Sequence, residues 1–177
     1  MQHFNENQIW LGLLVLRVSV GATMLAHGYN HIWGGGKIKG TAGWFASLGM
    51  KPGILHAWLA SLTELAAGAG LILGLFTPVA AGALIGTMLV AFMTNHRSAG
   101  FFVFRRPTEG WEYLMNLVAA LFAIACLGPG KWSLDNKIGF WLHGWWGFIV
   151  AFVMGVGGAA GLLIVFWRPV KKEPAAS

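Results

Sequence analysis

The chain alternates between long apolar segments and short polar connections. Five segments are long and apolar enough to cross a lipid bilayer, which takes about 20 helical residues. They are residues 9–33, 54–75, 78–96, 111–127 and 145–167. None of them has the strict alternation of apolar and polar residues that is typical of a membrane β-strand. The pattern therefore predicts an all-α integral membrane protein, a bundle of transmembrane helices in contact with the lipid bilayer.

Glycine and proline mark the ends of several of these segments. Gly74, followed shortly by Pro78, predicts that the second and third helices form an antiparallel hairpin with a tight turn. The sequence Gly-Pro-Gly at 128–130 ends the fourth helix. The first connection, residues 34–53, is longer than a turn, and its segment 41–49 predicts a short helix at the membrane interface.

The distribution of lysine and arginine predicts the orientation of the bundle. The first and third connections and the C-terminal tail carry nine basic residues, whereas the hairpin turn and the fourth connection carry two. Cytoplasmic loops are enriched in Lys and Arg. We therefore expect a multi-pass topology with the N-terminus outside and the C-terminus in the cytoplasm (N-out/C-in).

The composition narrows the class of protein further. Of the 177 residues, 56% are hydrophobic and only 10% are charged, against about 25% charged in soluble domains. The net charge of +6 comes mainly from the connections and the tail, where basic residues set membrane topology, so no nucleic-acid partner is expected. The single cysteine, Cys126, excludes a dithiol mechanism, a cysteine-based metal site and the cysteine motifs of iron–sulfur clusters and covalently bound haem.

Two charged residues lie inside the apolar segments. Arg17 stands within the first segment and Glu64 at the middle of the second. A charge at the bilayer centre costs roughly 2.5–3.5 kcal/mol on insertion scales, so such residues are kept where a partner or a function compensates for them. We expect Arg17 and Glu64 to pair at mid-depth. Such a pair has two interpretations, a purely structural ion pair or the floor of a polar pocket.

Further polar residues predict a pocket that opens from this pair toward the cytoplasm. In the expected topology His27, His96 and Glu112 share one leaflet, and Asn116 lies one helical turn after Glu112. Histidine and arginine can donate hydrogen bonds to the carbonyls of a quinone or a similar amphiphile, and histidine and glutamate can carry its protons. A second use is a metal ion bound by His27, His96 and one carboxylate. No His–carboxylate spacing on a single helix fixes the geometry of such a metal site, so no metal is assigned.

The other histidines fit ordinary positions in a membrane protein. His31, close to Trp33, is interpreted as an interfacial histidine, and His56 is expected at water or headgroup level. His96 also has a second interpretation, in which it caps the carbonyl groups at the end of the third helix.

A series of short motifs resembles the DoxX family of small bacterial membrane proteins. The motifs keep their order and spacing over residues 9–136 and are Leu16-Arg17, Ala26-His27-Gly28, Phe45 to Gly49 with Pro52, Trp58 to Glu64, Leu73-Gly74, Gly110 to Tyr113, and Gly128 to Asp135. The resemblance implies a four-helix membrane bundle in the bacterial inner membrane, related to the DoxD subunit of thiosulfate:quinone oxidoreductase. It is this resemblance that introduces quinone and redox chemistry. The polar positions of the family fall on Arg17, His27, Glu64, His96 and Glu112.

The chain departs from the family pattern at its C-terminal end. The resemblance ends near Asp135, which divides the chain into a DoxX-like bundle, residues 9–136, and an addition, residues 137–177, with a fifth transmembrane helix and a basic tail. The added helix, residues 145–167, is rich in glycine and has aromatic residues at its ends. These properties suit a helix that docks onto other subunits of a membrane complex.

Two hypotheses for the function follow. In the first, the chain is a component of a redox-linked membrane complex that binds a quinone or a small redox substrate. His27, Glu64, His96 and Glu112 are then the catalytic candidates, and Arg17, His27 and Asn116 the ligand-binding candidates. In the second, the chain is a non-catalytic accessory subunit of a respiratory or monooxygenase-like complex. Because the sequence encodes no redox centre of its own, both hypotheses place it in an assembly and neither makes it a stand-alone enzyme.

Overall fold

Every predicted transmembrane segment forms a helix in the computed structural model of the protein, which describes residues 5–104 and 109–169. The helices are α1 (Glu6–Trp33), α2 (Lys37–Ser47), α3 (Gly53–Leu73), α4 (Thr77–Thr94), α5 (Glu112–Leu127), α6 (Leu134–Ile138) and α7 (Gly144–Phe166). A 3₁₀ turn, His96–Ser98, follows α4, and a π-helical turn, Val153–Gly157, interrupts α7. Within the described ranges no β-strand forms. The predicted all-α membrane bundle is confirmed, whereas its orientation stays a prediction.

Four of the helices, α1, α3, α4 and α7, are long and apolar enough to cross a membrane. The fifth predicted span, α5, is equally apolar but has 16 residues, which rise about 24 Å. The short helix predicted in the first connection is α2. It begins four residues earlier than expected, at Lys37.

Glycines let α1 and α3 pack closely side by side. A Cβ atom at Gly21 would lie 2.6 Å from the carbonyl oxygen of Gly68, and one at Gly28 would lie 2.9 Å from that of Ser61. Small residues at such contacts are a common means of association between membrane helices. Because the chain numbers rise along one helix as they fall along the other, the two helices are antiparallel.

Asp135 of α6 holds the turn between α3 and α4. Gly74 ends α3 in the left-handed conformation, with φ +63°, which glycine adopts without steric cost. The Asp135 carboxylate accepts hydrogen bonds from the backbone N–H groups of Phe76 (2.7 Å) and Thr77 (2.9 Å) and from the Thr77 hydroxyl (2.7 Å). These contacts satisfy free donors at the N-terminus of α4. The predicted antiparallel hairpin is therefore present and is capped by a residue from a distant connection.

The C-terminal helix α7 is packed into the same bundle. A Cβ atom at Gly155 would lie 2.5 Å from Cγ2 of Ile85 and 3.1 Å from the carbonyl oxygen of Gly82, so α7 approaches the backbone of α4 closely. At its far end the indole N–H of Trp167 donates a hydrogen bond to the carbonyl oxygen of Leu48 (3.0 Å). The fifth predicted span is thus anchored both to α4 and to the segment after α2.

Candidate functional site

A cavity of about 310 Å³ lies within the bundle, bounded by residues of α1 to α5 and of α7. Much of its wall is apolar and includes Met24, Phe45 and Met88. Ionisable and phenolic side chains join this wall at a few places, namely His27, His31, His56, Glu64, His96 and Tyr113. An apolar pocket with a few convergent polar groups is the usual form of a small-molecule site.

The polar centre of the cavity is the contact between Glu64 and His31. Glu64 is only 3% exposed, and its Oε2 atom lies 3.2 Å from Nδ1 of His31. The two atoms are within ion-pair distance but are not aligned as a hydrogen bond, and among the described residues neither atom has a hydrogen-bond partner. A buried polar atom left in this way costs about 1–3 kcal/mol. Both atoms are therefore free to form a hydrogen bond to a polar group of a ligand in the cavity.

Helical spacing brings four of these side chains to the cavity. His27 and His31 lie one turn apart on α1, and His56 and Glu64 lie two turns apart on α3. His27 is exposed at the edge of the wall, whereas His56 is 2% exposed and its ring packs edge-on against Phe166 at a centroid distance of 5.0 Å. Nε2 of His56 has no hydrogen-bond partner in the described part of the chain. His56 is therefore not exposed to water, because the end of α7 and Phe45 of α2 cover it; its position at headgroup level stays a prediction.

His96 and Tyr113 form a second polar group of the cavity wall. Nδ1 of His96 lies 2.8 Å from the carbonyl oxygen of Glu109, and Nε2 lies 2.9 Å from the Tyr113 hydroxyl. Because a carbonyl oxygen only accepts, Nδ1 carries the proton, and Nε2 then accepts the hydrogen bond from Tyr113. His96 is thus oriented by the connection between α4 and α5. It does not cap the carbonyl groups of α4.

Arg17 lies elsewhere, and the predicted Arg17–Glu64 pair is not formed. The Arg17 side chain is 1% exposed and donates hydrogen bonds to the carbonyl oxygens of Leu71 (Nη1, 3.0 Å) and Trp132 (Nη2, 2.7 Å). The last carbonyl groups of a helix have no partner within the helix. Arg17 therefore satisfies the C-terminal end of α3 and ties it to the connection that follows α5.

The register of α1 and α3 explains why the predicted pair is wrong. Gly21 faces Gly68, so the position of α1 that faces Glu64 is close to Leu25. Arg17 is two turns away from that position, about 12 Å along the helix axis. Both charged residues occupy the inner side of their helices as expected, but they stand at different depths.

Glu112 and Asn116 lie on α5 outside the cavity wall. Glu112 is partly buried in the first turn of α5, and Asn116 is exposed and donates a hydrogen bond to the Glu112 carbonyl oxygen (2.9 Å). The structure therefore brings His27, Glu64 and His96 to one cavity and leaves Arg17, Glu112 and Asn116 away from it.

Three of the ionisable or phenolic side chains in the cavity wall were not predicted from the sequence as site residues: His31, His56 and Tyr113. For His31 the sequence held an indication, since it follows His27 by one turn and lies on the side of α1 that carries the buried Met24. Tyr113 directly follows Glu112 in the sequence. The position at which α5 begins decides which of the two side chains faces the cavity. His56 depends on its burial by α2 and α7, which no local pattern indicates.

The hypothetical metal set is not assembled. Among the residues that the structure describes, no group of three or more His, Cys, Asp or Glu side chains is close enough to hold a metal ion. Glu64 is instead engaged by His31, and His96 by Glu109 and Tyr113.

Comparison with known proteins gives a match to a protein family. Residues 12–97, slightly less than half of the chain, match the DoxX family model. The matched region runs from α1 to the 3₁₀ turn after α4 and includes His27, His31, Glu64 and His96. No curated protein and no solved structure matches the chain.

Proposed function

Since this chain is a membrane protein of the DoxX family and its cavity is lined by Glu64 and four histidines, we propose that it is a subunit of a redox-linked membrane complex that binds a quinone or a similar small amphiphile. The observation that carries the proposal is the Glu64–His31 contact at 3.2 Å in a largely apolar cavity. The two side chains are close but not hydrogen-bonded to each other, so each can form a hydrogen bond to a bound molecule, and a protonated one can pass its proton to that molecule. An ionisable pair inside a membrane protein is a functional candidate by default.

The cavity fits the head of such a ligand. Its volume of about 310 Å³ is at the lower end of the range of about 300–1,000 Å³ for small-molecule sites. Polar groups line it at two separate places, the Glu64–His31 pair and the Tyr113–His96 pair. The Glu64–His31 pair can supply a proton to one oxygen of a quinone ring, and the Tyr113 hydroxyl, which donates to His96, can accept a hydrogen bond once the ring is reduced.

The roles of the chain's own residues follow from their contacts. Glu64 and His31 hold and move a proton, while the Tyr113 hydroxyl, whose proton is donated to Nε2 of His96, can accept a hydrogen bond from the O–H group of a reduced, quinol-type ligand. A bound quinone would supply the capacity to accept or donate electrons. The chain has a single cysteine and no motif for covalently bound haem, so the electrons come from a partner subunit or a soluble donor.

Binding of a benzoquinone with a decyl tail to the protein in lipid nanodiscs tests the proposal. Glu64→Gln keeps the shape of the side chain and removes its ability to ionise, and we expect it to weaken binding by about tenfold or more, a loss of at least about 1.4 kcal/mol. Glu6→Gln, an exposed position at the start of α1, is the matched control and leaves binding unchanged. Wild-type protein that binds no quinone, or binding equal in Glu64→Gln and wild type, contradicts the proposal.

One observation favours the second candidate, a non-catalytic accessory subunit. In the most apolar 18-residue stretch of α7 only 17% is buried inside the bundle, whereas the corresponding share is 39% in α3 and 44% in α4. Gly161 lies on its open side, with no described atom within 4 Å of the place where a Cβ would stand. Gly161→Leu leaves α7 packed on α4, so loss of subunits that co-purify with the wild type, with quinone binding retained, would support an accessory role. Deletion of α7 is less suitable, because it removes a wall of the bundle.

A further inference from the structure

The cavity has an open side between α3 and α7. Both helices supply residues to its wall, Leu59 and Thr63 from α3 and Met154, Gly158 and Leu162 from α7. Both pack against α4, but in the described part of the chain they make no extended contact with each other. They therefore stand as two sides of a gap whose back wall is α4.

Residues at the edges of this gap are exposed on the outside of the bundle while also lining the cavity. Leu59 is 45% exposed and Met154 is 39% exposed. Gly158 is exposed, and no described atom lies within 4 Å of the place where its Cβ would stand. Exposed wall residues that face each other across two helices without extended contact mark an opening here; His27 and Trp44 are exposed at another part of the wall, beside α2. Below we call the opening between Leu59 on one side and Met154 and Gly158 on the other the lateral window.

The position of the lateral window along the helices places it in the hydrocarbon region. Leu59 lies in the first third of α3, about 9 Å from its start, and Met154 and Gly158 lie in the middle part of α7. Toward one end the gap is closed, because Phe166 packs against His56 and Trp167 is hydrogen-bonded to Leu48. The opening therefore faces lipid tails rather than water.

The shape of α7 contributes to the opening. The π-helical turn Val153–Gly157 ends immediately before Gly158. Within it Gly155 packs tightly against Ile85 of α4, while Met154 borders the cavity. Single π turns inside α-helices occur frequently at functional sites. The turn here combines close packing on α4 with a glycine, Gly158, that keeps the edge of the window free of side-chain atoms.

We propose that the ligand reaches the cavity from the bilayer through the lateral window and keeps an apolar tail in it. This inference rests on the proposed function and specifies its substrate class, an amphiphile with a compact polar head and a hydrocarbon tail. The cavity of about 310 Å³ accommodates the head, and the lateral window lets the tail extend into the bilayer. Leu59, Met154 and Leu162 offer the tail apolar surface at the point where it leaves the bundle. A polar metabolite dissolved in water does not partition into the hydrocarbon region, so it would not reach an opening at this depth.

Two quinones with the same head, one with a decyl tail and one without a tail, test the inference on nanodisc-embedded protein. Gly158→Leu adds a side chain to the edge of the window, and we expect it to weaken binding of the decyl compound at least tenfold and binding of the tailless compound less than threefold. Gly157→Leu is the matched control, since Gly157 is exposed, has open space around it and does not line the cavity. It changes neither affinity.

A second pair of variants distinguishes a blocked window from a general loss of folding. Leu59→Trp enlarges the opposite edge of the window, and Leu62→Trp enlarges an exposed residue of α3 outside the cavity wall. Only Leu59→Trp should reduce binding of the decyl compound. If both quinones bind the wild type and neither edge variant discriminates between them, the window is not used, although the proposed function stands. If the wild type binds neither quinone, the proposed function fails and the window with it.

Discussion

The carboxylate of Glu64 lies 3.2 Å from the imidazole of His31, one residue from each of two helices that pack through glycines. Arg17, the other charged residue within the predicted apolar segments of these helices, donates a hydrogen bond near the opposite end of α3. The bundle therefore contains two separate polar centres. One holds the helix ends together, and the other lines the cavity.

Arg17 belongs to the polar centre that holds the helix ends together, which we call the structural centre. Its replacement should therefore lower the stability of the protein and leave ligand binding unchanged. Arg17→Leu removes the donor to the carbonyl oxygen of Trp132 and one of the two donors to that of Leu71, which keeps the backbone N–H of Gly74 at 3.2 Å. A buried polar group without a hydrogen bond costs about 1–3 kcal/mol, so we expect the free energy of unfolding to fall by about 1–3 kcal/mol. Denaturation in detergent measures the loss, and quinone binding is measured on the folded fraction. Unchanged stability together with lost binding would restore Arg17 as a ligand-binding residue.

Asp135 is the second member of the structural centre. Asp135→Ala removes the acceptor for two backbone N–H groups and one hydroxyl at the start of α4. Loss of such an N-terminal cap costs about 0.5–2 kcal/mol, and burial of the freed donors adds to it, so we expect a loss of about 2–3 kcal/mol. Thermal unfolding measures the effect, with Asp135→Asn as the milder variant because it keeps one acceptor. Equal stability of Asp135→Ala and wild type contradicts the assignment.

The α1–α3 contact depends on glycine at its crossing point. Gly21→Leu places side-chain atoms where the Gly68 carbonyl oxygen and Ile72 already lie, so the helices must separate and the Glu64–His31 contact is lost with them. Gly12→Leu, on the same helix with open space around it, is the control. We expect Gly21→Leu to lower both the thermal stability and the quinone affinity, and Gly12→Leu to change neither. A fully active, stable Gly21→Leu protein would show that the close contact is not required.

The Tyr113 hydroxyl tests the second polar group of the cavity. Tyr113→Phe keeps the ring and removes the donor to His96. The hydroxyl can accept a hydrogen bond from a quinol, and one hydrogen bond contributes about 0.5–1.5 kcal/mol, so we expect the affinity for the quinol to fall about two- to tenfold. Loss of the donor to His96 should lower the free energy of unfolding by a similar amount. Tyr29→Phe, at an exposed position of α1, is the control. Identical affinities of Tyr113→Phe and the wild type would remove Tyr113 from the site.

The sequence predicts the helices well because hydrophobic length and glycine–proline boundaries are local properties. It also identifies Glu64, since a carboxylate in an apolar segment stands out wherever its partner lies. The predicted partner of Glu64, Arg17, is wrong. The ends of the apolar segments do not fix the relative depth of residues on two helices, because the Gly21–Gly68 contact sets the register. Burial of His56 and the inward position of Tyr113 depend on contacts with distant segments. Patterns along one helix do not contain that information.

A double-mutant cycle on Glu64 and His31, with quinone affinity in nanodiscs as the measurement, shows whether the two side chains act together in one binding site. Residues in contact that act together have coupling energies of about 0.5–3 kcal/mol. The Glu64→Gln/His31→Gln cycle should therefore give a coupling of at least about 1 kcal/mol. The Glu64→Gln/Arg17→Lys cycle should be additive within about 0.5 kcal/mol. Additive effects of Glu64 and His31, or a coupling of Glu64 to Arg17, would contradict a site built on the Glu64–His31 pair.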